Sequence, residues 1–148
     1  MTTAIRPVLT LVAALLLAAP DDAAKADKEK FQGSWLIESL EEKGEKTDAE
    51  ELEGLVIRFE GDKYHAINKE GEDIERGTFT IDTDRSPPTI DFQIKRGPDE
   101  GKSQLGIYQF RGTTLKVCYA PAGSKDRPKE FAANAEGEVS LLVLKKKP

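Results

Sequence analysis

The sequence has very few of the side chains on which catalytic and metal sites usually depend. Its 148 residues include one cysteine, Cys118, and one histidine, His65. An intramolecular disulfide is therefore impossible, and stability must come from the core. A Ser-His-Asp group or a histidine-containing metal cluster could form only around His65, and no G-x-S-x-G motif occurs. We therefore expect no enzyme, no metal site and no cofactor.

An excess of positive charge is also missing. Lys and Arg total 22 against 27 Asp and Glu, which gives a net charge of −5. A nucleic-acid binder needs a basic surface to contact phosphates, so this composition argues against nucleic acid as a partner. With 38% hydrophobic and 33% charged residues, the chain predicts a single globular domain with a core of its own.

The lone histidine and cysteine each have an ordinary structural interpretation and a chemical one. His65 lies within a predicted strand, where we interpret it as a surface histidine, because a general base would need a partner group within reach. Cys118 is interpreted as a small core residue. A reactive thiolate is the alternative if Lys116 or Arg127 lies close enough to lower the pKa of the thiol.

The N-terminal segment has the form of a secretory signal peptide. Arg6 precedes an almost entirely apolar run over residues 8–19, which is too short to span a bilayer but suits the apolar region of a signal. Ala24-Lys25-Ala26 is a suitable cleavage site, and a cut after Ala19 is the alternative. We predict residues 1–26 to be the signal and residues 27–148 the exported domain, periplasmic, in the cell envelope or extracellular. Cleavage would leave no stable membrane span, and an uncleaved N-terminal anchor is the other possibility.

Alternation of apolar and polar residues predicts short strands through the remaining chain. The best hairpin joins Leu55-Ile57-Phe59 to Lys63–Asn68 across the turn residues Gly61-Asp62. The eight predicted strands cover residues 33–40, 55–60, 63–68, 74–82, 90–94, 103–110, 114–120 and 139–146. Helix is scarce: a capping box with Thr47 as N-cap predicts one short helix, and residues 27–31 predict a single turn.

Eight short strands joined by tight turns predict an antiparallel sheet that closes into a barrel, because closure removes exposed strand edges. The fold class is therefore mainly β: an eight-stranded antiparallel, lipocalin-like barrel with one or two short helical turns. A barrel of this size has room for packed side chains or for one small ligand. A two-sheet β-sandwich is the alternative.

Several motifs resemble one known family. Gly33-Ser34-Trp35 is similar to the G-x-W motif that begins the first strand of lipocalins. Further motifs follow in order, at Leu52–Leu55, Phe59–Lys63, Gly77–Phe79, Pro88–Asp91, Gly106–Tyr108, Leu115–Cys118 and Asp126–Phe131. Together they resemble an uncharacterised lipocalin-like domain family of planctomycete bacteria. The resemblance implies a calycin-type barrel and an envelope location, and it implies no activity. The arginine that stacks on the motif tryptophan in lipocalins would be replaced by Lys145 or Lys146.

These features favour an exported, non-enzymatic binding module that takes an apolar or amphipathic small molecule inside the barrel. The candidate ligand-binding residues are Trp35, Phe59, Phe92, Tyr108, Tyr119 and Arg127. Arg127 could bind an anionic ligand group at the barrel mouth, or it could pair with Asp126 or Glu130 as a purely structural residue. The alternative function is an envelope protein-interaction or structural module that binds an envelope protein partner and has no ligand cavity.

Overall fold

The computed structural model of the protein describes residues 20–148, with side-chain surroundings from Asp22 onwards. The predicted fold class is confirmed: the chain is mainly β and forms a closed eight-stranded antiparallel barrel with two short helices. The apolar run of residues 8–19 lies outside the described residues. The predicted cleavage point after Ala26 falls within the first helix, whereas the alternative after Ala19 immediately precedes it. Either cut would retain Asp27 and Phe31, which contact the barrel as described below.

The described chain contains two helices and nine strands, and all eight predicted strands are among them. In chain order the elements are α1 (Pro20–Phe31), β1 (Gly33–Glu42), β2 (Glu45–Lys46), α2 (Ala49–Leu52), β3 (Val56–Glu60), β4 (Lys63–Ile67), β5 (Asp73–Asp82), β6 (Thr89–Arg96), β7 (Ser103–Arg111), β8 (Thr114–Tyr119) and β9 (Ser140–Lys146). The two-residue strand β2 was not predicted from the sequence; it extends β1 as a short hairpin, with Glu41 opposite Lys46.

The barrel closes because β1 pairs on both of its sides. From β3 to β9 each strand pairs antiparallel with the next, and β1 pairs with β3 on one side and with β9 on the other. Trp35 is opposite Ile57 of β3 and opposite Lys146 of β9. The predicted hairpin is confirmed, since Glu60 and Lys63 are paired around the two turn residues, and Gly61 takes a positive φ of 58° that suits glycine.

Both helices differ from the sequence prediction in detail. Helix α1 has 12 residues instead of a single turn. The predicted N-cap of α2 was wrong: Asp48, not Thr47, holds that position, and its side chain makes no capping hydrogen bond. Buried Leu52 anchors this short helix, which shows that packing determines it more than capping does.

Helix α1 ends in a side chain that fills one end of the barrel. The Phe31 ring is fully buried among four aromatic rings, with centroid separations between 4.8 and 5.5 Å. The four surrounding rings belong to Phe59, Phe79, Tyr108 and Phe110. The indole nitrogen of Trp35 donates to the carbonyl of Phe31 at 2.7 Å, and the Tyr108 hydroxyl donates to Asp27 at 2.7 Å. We call this part of the interior the packed end.

Candidate functional site

The barrel interior also contains a cavity of about 80 Å³. We call it the barrel cavity. Its lining residues come from seven strands: Ile57, Phe59, Tyr64, Ala66, Glu75, Phe92, Gln104, Val117, Tyr119, Leu142 and Leu144. Because side chains alternate across each strand, every second residue of these strands faces the interior. Phe59, Val117 and Leu144 are the buried members of its apolar wall.

The lining of the barrel cavity also includes four polar side chains. Tyr64, Glu75, Gln104 and Tyr119 are the polar lining residues, and Glu75 is the one ionisable acid among them. The Tyr64 hydroxyl donates a hydrogen bond of 2.9 Å to Oε1 of Glu75. Among residues 22–148 no lysine, arginine or histidine forms an ion pair with Glu75. The cavity therefore carries a half-buried carboxyl group without a cationic partner.

Burial changes the proton affinity of these polar groups. It raises the pKa of Glu75 above its ordinary value, and the charge of Asp99 acts in the same direction, whereas the hydrogen bond from Tyr64 opposes it. Burial likewise raises the pKa of Tyr64 and of Tyr119. Both phenols therefore stay protonated at neutral pH and act as neutral hydrogen-bonding groups at the cavity.

The structure brings together three of the six sequence-predicted ligand-binding residues. Phe59, Phe92 and Tyr119 all line the barrel cavity. Trp35 and Tyr108 lie at the packed end, where each makes a hydrogen bond with the segment around α1. Burial and the bond to Asp27 raise the pKa of the Tyr108 phenol, which is in keeping with a structural position.

The sixth residue, Arg127, does not line the barrel cavity. Its guanidinium donates to Oδ1 of Asp91 at 2.6 Å and to the carbonyl of Gly106 at 2.8 Å. These contacts fasten the segment before β9 to β6 and β7. The predicted structural partners Asp126 and Glu130 were wrong, because Asp91, which is distant in sequence, takes their place.

Of the two lysines predicted to contact the motif tryptophan, one lies over its ring. The Lys146 ammonium lies 4.8 Å from the centroid of the Trp35 ring and donates to the carbonyl of Gln32. Lys145 is exposed. A cation over an indole face is a stabilising contact, and burial lowers the pKa of Lys146. This contact closes the seam between β1 and β9 at the packed end.

The lone cysteine and histidine lie away from the barrel cavity. Cys118 is fully buried, and its thiol contacts the carbonyl of Ala132 at 3.7 Å. Burial raises the pKa of the thiol, which is the opposite of what a reactive thiolate requires. His65 is half-buried, with Nδ1 3.1 Å from a carboxylate oxygen of Asp73. No group of three or more His, Cys, Asp or Glu within the described chain is placed to hold a metal ion.

Sequence reasoning missed Glu75, Tyr64 and Gln104 as cavity residues. A signal for Glu75 was available in the sequence. Glu75, Gly77 and Phe79 are spaced two residues apart on one strand, so the alternation that places Phe79 inside places Glu75 inside as well. The predicted site residues were chosen for aromatic or cationic character, which left an inward-facing carboxylate unnoticed. Tyr64 and Ala66 are likewise two residues apart on β4, so their side chains face the same side of the sheet.

Comparison of the chain with family models, curated proteins and solved structures finds no match. Within residues 20–148, neither helix combines the length and the apolar composition that a membrane span needs.

The first prediction concerns how stability depends on pH. The pKa of Glu75 is about 4.5 in the unfolded chain and higher in the fold, so the unfolded state loses its proton first as pH rises. This contribution to the free energy of unfolding is complete below pH 4.5 and is lost as pH rises through the folded-state pKa. We expect Glu75→Gln to be more stable than the parent at neutral pH, with the difference vanishing below about pH 4.

Urea denaturation of both proteins at a series of pH values measures this difference. Glu136→Gln, at an exposed loop acid before β9, is the matched control and should follow the parent curve. A stability difference between Glu75→Gln and the parent that stays constant with pH would contradict the assignment of this burial effect to Glu75.

Proposed function

We propose that the protein is an exported binding module that takes a small amphipathic molecule into the barrel cavity. The single observation that carries the proposal is the cavity itself: about 80 Å³ of space with an apolar wall and a few polar groups. Export is supported by the apolar run of residues 8–19 and the small-residue cleavage sites that follow it. The cavity favours ligand binding over the alternative of an interaction module with a solid interior.

The volume restricts the size of the ligand. An engineered apolar cavity of about 150 Å³ binds benzene, which has six non-hydrogen atoms, so the barrel cavity accommodates roughly three to four. Pockets for drug-sized ligands measure about 300–1,000 Å³. The part of the ligand that enters this cavity therefore has about four non-hydrogen atoms. At a ceiling of about 1.5 kcal/mol per atom, the Kd of a four-atom ligand is no lower than tens of micromolar, and we expect a Kd of about 1–10 mM.

The second prediction is that 1-propanol binds in the barrel cavity. Titration followed by 1H–15N NMR should give saturable shifts at Tyr64, Ala66 and Leu142, with a Kd of about 1–10 mM. Ala66→Leu should abolish these shifts, because Ala66 lines the cavity and a larger side chain fills it.

Ala132→Leu is the matched control, because Ala132 is exposed and outside the cavity, so this variant should bind like the parent. Identical titrations for Ala66→Leu and the parent would place the alcohol elsewhere and contradict the proposal.

A further inference from the structure

We propose that the barrel cavity selects small primary ammonium ions, with the Glu75 carboxylate as the group that binds the ammonium. This inference rests on the proposed function and adds the chemical class of the ligand.

The lining of the cavity is chemically asymmetric. Glu75 is its one charged side chain, and Phe59, Leu142 and Leu144 belong to the apolar wall. A molecule with a short alkyl chain and a cationic head matches both parts, because the chain is removed from water while the head meets the carboxylate.

The carboxylate is already oriented but lacks a cation. Tyr64 donates to Oε1 at 2.9 Å, and no donor from the described residues is bonded to Oε2. An ammonium group carries three donors and no acceptor, so it can bond to Glu75 and still reach the amide oxygen of Gln104 or the hydroxyl of Tyr119. A half-buried charge is destabilised by its lost hydration until a partner compensates it, and an incoming ammonium supplies that partner.

Acidic side chains near the barrel cavity also favour a cationic ligand. The carboxylates of Asp99 and Glu42 act electrostatically on Glu75 and Tyr119 respectively, so the negative potential extends beyond the one lining acid. Lys102 pairs with Asp99 at 3.4 Å on the exposed loop before β7 and partly offsets the charge of that one carboxylate. An anionic ligand would meet repulsion from Glu75, and a neutral alcohol would leave the carboxylate without a counter-ion.

Three ligands of nearly equal size separate these possibilities. We would titrate the full-length domain with propylammonium, 1-propanol and propionate at pH 8, where an alkylammonium is still protonated, and follow the same NMR signals. The expected result is that propylammonium binds at least about 10-fold more tightly than 1-propanol, while propionate does not bind. If 1-propanol binds as tightly as propylammonium, this inference falls and the proposed function stands. If none of the three shifts the cavity signals, the proposed function falls with it.

Two variants assign the preference to Glu75. In Glu75→Gln, which keeps an acceptor for Tyr64, the ratio of the two affinities should fall from about 10 to about 1. Tyr64→Phe keeps the carboxylate and should keep the preference for the ammonium ion. Glu136→Gln is the exposed control and should show the parent ratio. A preference that survives in folded Glu75→Gln would overturn the assignment.

Discussion

We expect Phe31→Ala to lower the free energy of unfolding by about 4 kcal/mol, within the range for removing a buried phenylalanine side chain. The effect is large because Phe31 is fully buried and contacts four aromatic rings, and such ring pairs contribute beyond their buried area. The four rings come from β3, β5 and β7, so the substitution leaves a hole shared by several strands. It also removes the apolar side chain by which α1 packs into the core.

Urea denaturation monitored by Trp35 fluorescence measures this loss, since Trp35 donates to the carbonyl of Phe31. Phe131→Ala is the matched control: Phe131 is half-buried beside a surface groove that Asp27 also lines, and its truncation should be less than half as destabilising. Equal effects of the two substitutions would show that Phe31 is not the residue that fills the packed end.

Gly77→Ala is expected to destabilise the barrel by about 3 kcal/mol or more, or to prevent folding. A Cβ atom at Gly77 would lie 1.9 Å from the backbone oxygen of Gln93 and 2.9 Å from the ring of Tyr64. The first of these atoms belongs to the paired strand β6 and cannot move without breaking the ladder. The position lies beside an irregularity in the β5–β6 register, between Arg76 and Gly77.

Thermal unfolding by circular dichroism, with the yield of folded protein, measures the effect of this substitution. Gly137→Ala is the control, because a Cβ there meets its nearest atom, in Val139, at 3.4 Å and needs no rearrangement. A Gly77→Ala protein with the melting temperature of the parent would show that β5 and β6 are further apart than described.

The strands were predictable because their signal is local. In β3, Ile57 and Phe59 line the interior and Arg58 is exposed, so a period of two residues encodes the burial directly. The closure of the sheet followed from the number of strands and their short turns. The seam itself, Trp35 opposite Lys146, joins residues at opposite ends of the described chain. The resemblance to lipocalins left two lysines, Lys145 and Lys146, for the contact with the tryptophan, and the structure shows Lys146 there.

Long-range contacts account for what the sequence did not reveal. The length of α1 and the burial of Phe31 depend on rings from three strands, which no local pattern around residues 27–31 encodes. Two acids lie close to Arg127 in the sequence, but in the fold its carboxylate partner is Asp91. Which part of the interior keeps a cavity depends on how side chains from all strands fill the volume. The aromatic candidates were therefore divided between the packed end and the barrel cavity.

The most direct test of the central claim is a crystal structure of the protein soaked with propylammonium. The account predicts electron density in the barrel cavity, with the nitrogen within hydrogen-bond distance of Glu75 and the alkyl chain against Leu142 and Leu144. The contradicting result is an interior in which side chains fill the space between Tyr64 and Leu142 and no ligand density appears.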